Sequence, residues 1–215
     1  MKYLNNIELL CHSSIRLNRK KKIYFDPYKI KQEYHDADFV FCTHEHHDHF
    51  SPQDIKKVIT DKTIIVTVPK TKKEALTLQP DETRIITVKP NEDYKIAGLE
   101  FITLPAYNIN KLFHPKQKEW VGYMVRVDGI RYYIAGDTDF IPELESIQCD
   151  VAFVPVGGMY TMNYKQAAEL INTIKPKVAI PTHYGTVIGD KIDAEEFQKL
   201  VSPEIETEII MNEEE

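Results

Sequence analysis

The sequence predicts an α/β fold built as one unit over residues 1–215, and three observations carry that prediction. Apolar runs at strand spacing alternate repeatedly with runs at helical spacing. No linker rich in Gly, Ser or Pro, tandem repeat or low-complexity block interrupts them. With 215 residues and 42% hydrophobic content, the chain is long enough to bury a substantial core.

The elements follow in order. Residues 7–11, 14–17 and 22–25 read as short strands joined by polar turns, the last closed by Asp26-Pro27. Residues 38–43 form a continuous apolar run, the pattern of a strand buried on both faces. Ser51-Pro52-Gln53-Asp54 then signals a helix start: an N-cap serine, proline at the first helical position and an acid in the first turn. Ile55, Val58 and Ile59 continue it at helical spacing. Next come a strand at 63–68, a short helix at 72–78 and a strand at 83–88. Residues 93–96 and 99–104 flank Ala97-Gly98 as a hairpin, and 121–127 and 130–135 flank Asp128-Gly129, a preferred two-residue hairpin turn. The last third predicts a strand at 151–156, a helix at 164–174 capped by Asn163, a strand at 178–181, a helix at 194–201 and a strand at 205–210. The acidic end, 212–215, is expected to fray.

Composition narrows the function. The chain has 27 Lys and Arg against 33 Asp and Glu, a net charge of −6 that disfavours a nucleic-acid or anionic-membrane surface. No window approaches the eighteen apolar residues of a membrane span, and the N-terminus makes a poor secretory signal. Three widely spaced cysteines, Cys11, Cys42 and Cys149, read as buried free thiols of a cytoplasmic protein.

The chemistry concentrates in Thr43-His44-Glu45-His46-His47-Asp48-His49-Phe50, which holds four of the eight histidines. So polar a stretch between a strand and a helix is either a solvated loop or a metal binder. Three other apolar runs also end on polar groups: 101–106 at Tyr107 and Asn108, 132–136 at Asp137, and 178–182 at His183. If these strands lie side by side, their ends line one rim of a sheet, where a rigid scaffold commonly carries chemistry. His44 and His46 are two residues apart, so on an extended exit they point the same way and can grip one ion. Asp48 and His49 fall at the turn into the helix and can serve a second. Two ions about 3.5–4 Å apart need a bridging carboxylate. Asp137 is the natural candidate, because Gly136 before it permits a sharp turn; His183 could complete the second site.

These residues resemble the His-x-His-x-Asp-His motif of the metallo-β-lactamase superfamily, with its downstream Gly-Asp-Thr and Thr-His in the right order. The resemblance covers nearly the whole chain and is strongest to the small UlaG-like metal-dependent hydrolases, a group similar to ascorbate-6-phosphate lactonase. Cys11-His12-Ser13-Ser14, Phe25-Asp26-Pro27 and Pro181-Thr182-His183-Tyr184-Gly185 add to it. It implies a four-layer αββα sandwich with a dinuclear site at one edge, and His44, His46, Asp48, His49, Asp137 and His183 map onto the family's ligands. One position departs: the family places a third histidine where this chain has Tyr107 and Asn108. His114 is the only nearby imidazole able to reach back as that ligand; a water, or a single metal, is the alternative.

The expected function is a metal-dependent hydrolase, cleaving an ester, lactone or phosphodiester bond of a small substrate with a metal-bridging hydroxide. Two divalent ions, zinc first with manganese or iron as options, would serve it, and Asp48 would orient the nucleophile as well as bind metal. His12, Tyr107, Asn108 and Tyr184 are candidate substrate contacts. His12 could instead be a core histidine supporting Asp26. His47 and Glu45 are expected outside the ligand set, His35 as incidental, and Trp120 in core packing. Asp139 either supports the site or caps a turn, and Lys111, Lys116 and Lys118 read as a solvated loop face rather than an anion site. Two other classes remain on the same scaffold: a di-iron redox protein, and a non-catalytic metal-binding module. The di-iron proteins put glutamate where His46 stands and carry a flavin domain that is not seen here. The partners expected are a small molecule and, optionally, further copies of the chain.

Overall fold

The computed structural model describes residues 3–211. Two sheets face each other, with helices outside both. The first contains β1 (Ile7–Cys11), β2 (Ser14–Asn18), β3 (Lys22–Phe25), β4 (Phe39–Phe41), β5 (Ile64–Thr67) and β6 (Ile85–Thr87), in sequence order. Its first three strands are antiparallel and the rest join β3 in parallel. The second contains β7 (Asp93–Ile96), β8 (Leu99–Pro105), β9 (Val121–Val127), β10 (Ile130–Ile134), β11 (Val151–Pro155), β12 (Val178–Thr182) and β13 (Glu206–Thr207), again in order. Here β7 to β10 form an antiparallel meander, and β10 to β13 run parallel.

Side-chain alternation builds the layers. Phe39 and Phe41 point between the sheets, with Val66, Phe101, Tyr123, Tyr132, Phe153 and Ile180. Val40 and Ile65 point outward onto α1 (Pro52–Val58) and α2 (Lys72–Leu78), through Ile55, Val58 and Ala75. On the far side, Tyr133, Ala152, Val154 and Ala179 pack under α3 (Tyr164–Ile174) and α4 (Lys191–Leu200), against Leu170, Ile171 and Phe197. The result is the four-layer αββα sandwich.

Most expected elements form, and the differences have local causes. The 38–43 run yields only the three residues of β4. Beyond it Thr43 N donates to the Asp26 carboxylate (2.8 Å), and Thr43 O accepts from Val121 N of the opposite sheet (3.3 Å). Residues Glu82–Arg84 wind into a 3₁₀ turn capped by Asp81, which shortens the strand at 83–88 to β6. Helix α4 starts earlier than the apolar spacing suggests because Asp190 and Asp193 close a reciprocal capping box. The strand at 205–210 shrinks to β13, which pairs with β12 for two residues. Ser51 stands at the N-cap of α1 as expected, but its hydroxyl donates to the Asp54 carboxylate (2.7 Å) rather than capping a backbone N–H. Of the cysteines, Cys42 and Cys149 are buried and Cys11 is only partly so; all three are free thiols. The segment at 212–215 lies outside the described residues. Among the described residues, no helix is long and apolar enough to cross a membrane.

Candidate metal centre

The polar strand exits do not lie side by side in one sheet, as the sequence reading supposed. The exit of β4 belongs to the first sheet and those of β8, β10 and β12 to the second. They meet across the open edge of the sandwich, so each sheet supplies part of one cluster.

Sharp turns at these exits aim the side chains inward. His12, Asp26, His114 and His183 all have left-handed backbone, with φ of 55°, 44°, 56° and 57°. Such values are uncommon outside glycine, although Asn, Asp and His tolerate them best. Gly136 turns the chain out of β10 at φ 65°, where a Cβ would press to 3.1 Å from the Thr43 side chain. That turn delivers Asp137 to the centre of the cluster.

Two donor sets surround Asp137. His44, His46 and His114 converge with it on one side, and His49 and His183 on the other. His44 Nε2 lies 3.0 Å from His46 Nδ1, and Asp137 Oδ2 lies 3.1 Å from His114 Nε2. Across the carboxylate, His49 Nε2 is 3.2 Å from Oδ1 and His183 Nε2 is 3.2 Å from Oδ2. Asp48 Oδ2 approaches His49 Nε2 to 3.6 Å and His183 Nε2 to 3.8 Å. Ligands at zinc–nitrogen distances around a tetrahedral ion lie roughly 3.3 Å apart, and these spacings bracket that value. The buried Nε2 atoms of His49, His114 and His183 and Oδ1 of Asp137 have no hydrogen-bond partner. Polar atoms so enclosed ordinarily carry a heavy desolvation cost. A cation at their common focus removes that cost, so the donor set fits a metal.

The electrostatics agree. Burial, reinforced by His49, pushes the His44 imidazole well below its ordinary pKa, and burial lowers His46 as well. Both are therefore neutral ligands with available lone pairs. Burial works against the Asp137 carboxylate, yet His183, His49 and His114 outweigh it and hold Asp137 well below the usual range. Burial also opposes charge on His49, but Asp137 and Asp26 overcome it and hold that imidazole protonated well above its ordinary value.

A second ring of contacts fixes the donors. The Asp26 carboxylate takes His49 Nδ1 at 2.7 Å and accepts from Thr43 N and Oγ1 at 2.8 and 2.9 Å. Thr43 Oγ1 also lies 3.0 Å from His44 Nδ1. Carboxylate–histidine pairs of this kind orient metal ligands. Buried Trp120 packs its ring 4.6 Å from His44, 4.8 Å from His46 and 5.1 Å from His114. Asp26 thus braces His49 rather than His12, while Trp120 lies in the core as expected and also packs on three of the imidazoles. The one signal for Asp26 was an acid before proline at a strand end.

The four residues expected to contact substrate lie elsewhere. His12 is fully buried, with Nε2 3.5 Å from Asp48 and its ring 3.9 Å from that of His183. It thus stands behind the second donor set rather than at the rim, and His49 takes the place beside Asp26. Tyr184 is buried in the outer core, and its carbonyl faces His12 Nδ1 at 3.4 Å. Tyr107 turns away to Glu143 (2.9 Å) under Lys116. Asn108 donates to the Tyr160 carbonyl (2.7 Å), and its backbone N–H to that of His114 (2.8 Å). Tyr107 and Asn108 thus shape the loop that presents His114, and Asp139 anchors the same loop through Ile109 N (2.8 Å) and Lys111. His47 faces solvent, Glu45 pairs with Lys118, and His35 lies exposed beside Glu33.

A cleft of about 230 Å³ opens over the centre, lined by His46, His47, Asp48, His114, Asp137 and His183 together with Phe113, Tyr160 and Val187. A buried His/Asp cluster where two sheets of an αββα sandwich meet defines a class of metallohydrolase. The chain belongs to the β-lactamase superfamily, whose domain matches residues 6–183. Within it, the chain is 31% identical over 181 residues to a UPF0173 metal-dependent hydrolase of Staphylothermus marinus, covering 81% of this chain and 74% of the relative. A solved structure of a candidate metal-dependent hydrolase from Parabacteroides distasonis superposes with a TM-score of 0.81 at 29% identity, covering 96% of this chain and 93% of that one. The fold alone is shared with CmlA, a di-iron β-hydroxylase of Streptomyces venezuelae (TM-score 0.73, 12% identity, 95% of this chain and 52% of that one).

Proposed function

We propose that this metal-dependent hydrolase works with two divalent ions sharing Asp137 and cleaves an ester, lactone or phosphodiester of a small substrate. One observation carries the reading: a single buried carboxylate stands between two imidazole sets, and the Nε2 atoms of His49, His114 and His183 that face it have no hydrogen-bond partner. His44, His46, His114 and Asp137 would hold one ion; Asp48, His49, His183 and Asp137 would hold the other, with zinc the expected metal. When bound, such ions supply Lewis acidity, lowering the pKa of water toward about 7 and polarising the attacked carbonyl or phosphoryl group.

The chain's own groups set up the rest. Burial works against the Asp48 carboxylate, but His12, His49 and His183 outweigh it and hold it ionised well below the usual range. Its Oδ2 faces those imidazoles, whereas the nearest imidazole to Oδ1 is the exposed His47 at 3.8 Å. Oδ1 is therefore placed to accept a hydrogen bond from an attacking water and orient it. Asp26 keeps the His49 ring in place while this happens, and Trp120 keeps the faces of His44 and His46 dry.

Elemental analysis of the purified protein, coupled to a hydrolysis screen with and without chelator, tests the reading. Two equivalents of metal and chelator-sensitive hydrolysis are expected. Iron with a ferric absorption band and no hydrolysis would replace it with the redox reading; bound metal with no turnover of any tested class would leave a binding module.

A further inference from the structure

The surface around the centre says what kind of substrate it receives. Among the described residues, most of the exposed large apolar side chains stand on the three loops that supply the cleft: Ile109, Leu112 and Phe113 on the loop after β8, Met159 on the loop after β11, and Val187 on the loop after β12, with Phe113 and Val187 in its lining. Leu112 is 95% exposed and Met159 66%, and outside these loops only Ile192 and Leu200, both on α4, are similarly open. Phe113 meets Tyr160 edge-on at 4.7 Å, and both reach into the cleft beside Val187. The apolar side chains and the metal donors thus line one continuous cavity, so an occupant of the donors also touches the collar. Concentrated exposed apolar surface of this kind marks a binding site.

Charge argues the same way. No Lys or Arg lines the cleft. The three nearby lysines are each tied to an acid: Lys111 to Asp139 at 2.5 Å, Lys116 to Glu143 at 2.7 Å and Lys118 to Glu45 at 3.2 Å. Lys111 also donates to the Thr161 carbonyl (2.7 Å), which keeps it against the loop. A phosphorylated or polyanionic substrate would meet no lysine or arginine in that lining, only imidazoles and any bound ions.

We propose that the centre hydrolyses uncharged esters or lactones carrying an apolar acyl, alkyl or aryl part, which lies on the Phe113, Tyr160 and Val187 collar with Leu112 and Met159 beyond it. This rests on the hydrolase reading and selects within it. In the reaction, the ester carbon–oxygen bond breaks as water adds, leaving a carboxylate and an alcohol; a lactone yields both on one molecule.

The test uses the zinc-loaded protein. Binding of linear alkyl hydroxamic acids, from two to eight carbons, is measured by calorimetry, beside hydrolysis of p-nitrophenyl esters of the same lengths and of bis(p-nitrophenyl) phosphate. Affinity and kcat/KM are expected to rise with length by up to about fourfold per methylene, and Phe113→Ser should flatten both trends while leaving bound zinc unchanged. Length-independent hydroxamate binding, or preference for the phosphodiester, would overturn the proposal while leaving the hydrolase reading intact. Length-dependent binding without hydrolysis of any ester would uphold the collar and sink the hydrolase reading. A dimer that Leu112→Asp splits, together with a flat length series, would make the collar a subunit interface and overturn the proposal.

Discussion

Asp137 is the residue on which the centre turns. It is nearly fully buried, and it contacts His49, His114 and His183 within 3.2 Å. Asp137→Ala should leave less than one equivalent of metal and cut hydrolysis roughly a thousandfold or more, the scale of several kcal/mol of lost charge stabilisation. Elemental analysis beside a rate measurement checks this; two retained equivalents would remove Asp137 as the shared ligand. His114→Ala should lose only one equivalent, because the His49, Asp137 and His183 group does not include it. Asp26 acts through His49 and touches no ion. Asp26→Ala is therefore expected to weaken metal affinity by about 10–100-fold, read by competition with a chelator, and an unchanged affinity would make Asp26 a purely structural residue. The dense cluster from His44 to His49 was legible because its spacing is local. The contact of Asp26 with His49 was not, since nothing local marks which distant side chain an imidazole will meet.

At the scale of elements, α1 and the segment before it depend on Asp54. Its carboxylate accepts from Lys29 N and Ile30 N, each at 3.0 Å, from Ser51 Oγ at 2.7 Å and from Lys57 Nζ at 3.0 Å. Burial opposes its charge, but the Ser51 and Lys57 contacts and these amides outweigh it and hold its pKa below 3.8. The sign follows from linkage. A depressed carboxylate binds fewer protons folded than unfolded, so its stabilisation is full above the unfolded pKa and fades as pH falls through the folded one. Asp54→Asn should cost about 1–3 kcal/mol at neutral pH, and the gap to the parent protein should narrow below about pH 4. Urea unfolding across that range checks it; a gap independent of pH would mean the loss is steric. The sequence marked Asp54 as a helix-start acid, which it is by position. Its tie to residues 29 and 30 spans more than twenty positions and belongs to tertiary structure.

For the whole molecule, the architecture draws the candidate donors from both sheets, so a bound metal would tie the two together. The cluster after β4 leaves the first sheet, whereas Asp137, His183 and the His114 loop follow strands of the second. Ion binding restricted to the folded state stabilises it by mass action, about 2.7 kcal/mol at a hundredfold excess over Kd. Thermal unfolding should therefore shift upward by several degrees with free zinc, and the shift should vanish in Asp137→Ala. A midpoint indifferent to zinc in the parent protein would show that the sheets do not depend on the ions.

The sequence by itself determined the alternation of strands and helices, both hairpin turns, the α3 cap at Asn163 and the run from His44 to His49, all of which rest on neighbours within a few residues. It also marked Asp137 and His183, because both stand where an apolar run breaks. Only the tertiary structure decided that these exits come from two sheets and meet at one edge, and that His114 folds back beside His44 and His46. It likewise placed His12, Tyr107, Asn108 and Tyr184 behind the donors or in the loop framework, and gathered an apolar collar at the mouth. The physical reason is range: propensity, capping and turn chemistry act along the chain, while a shared carboxylate and a cleft exist only where segments far apart in sequence are packed together.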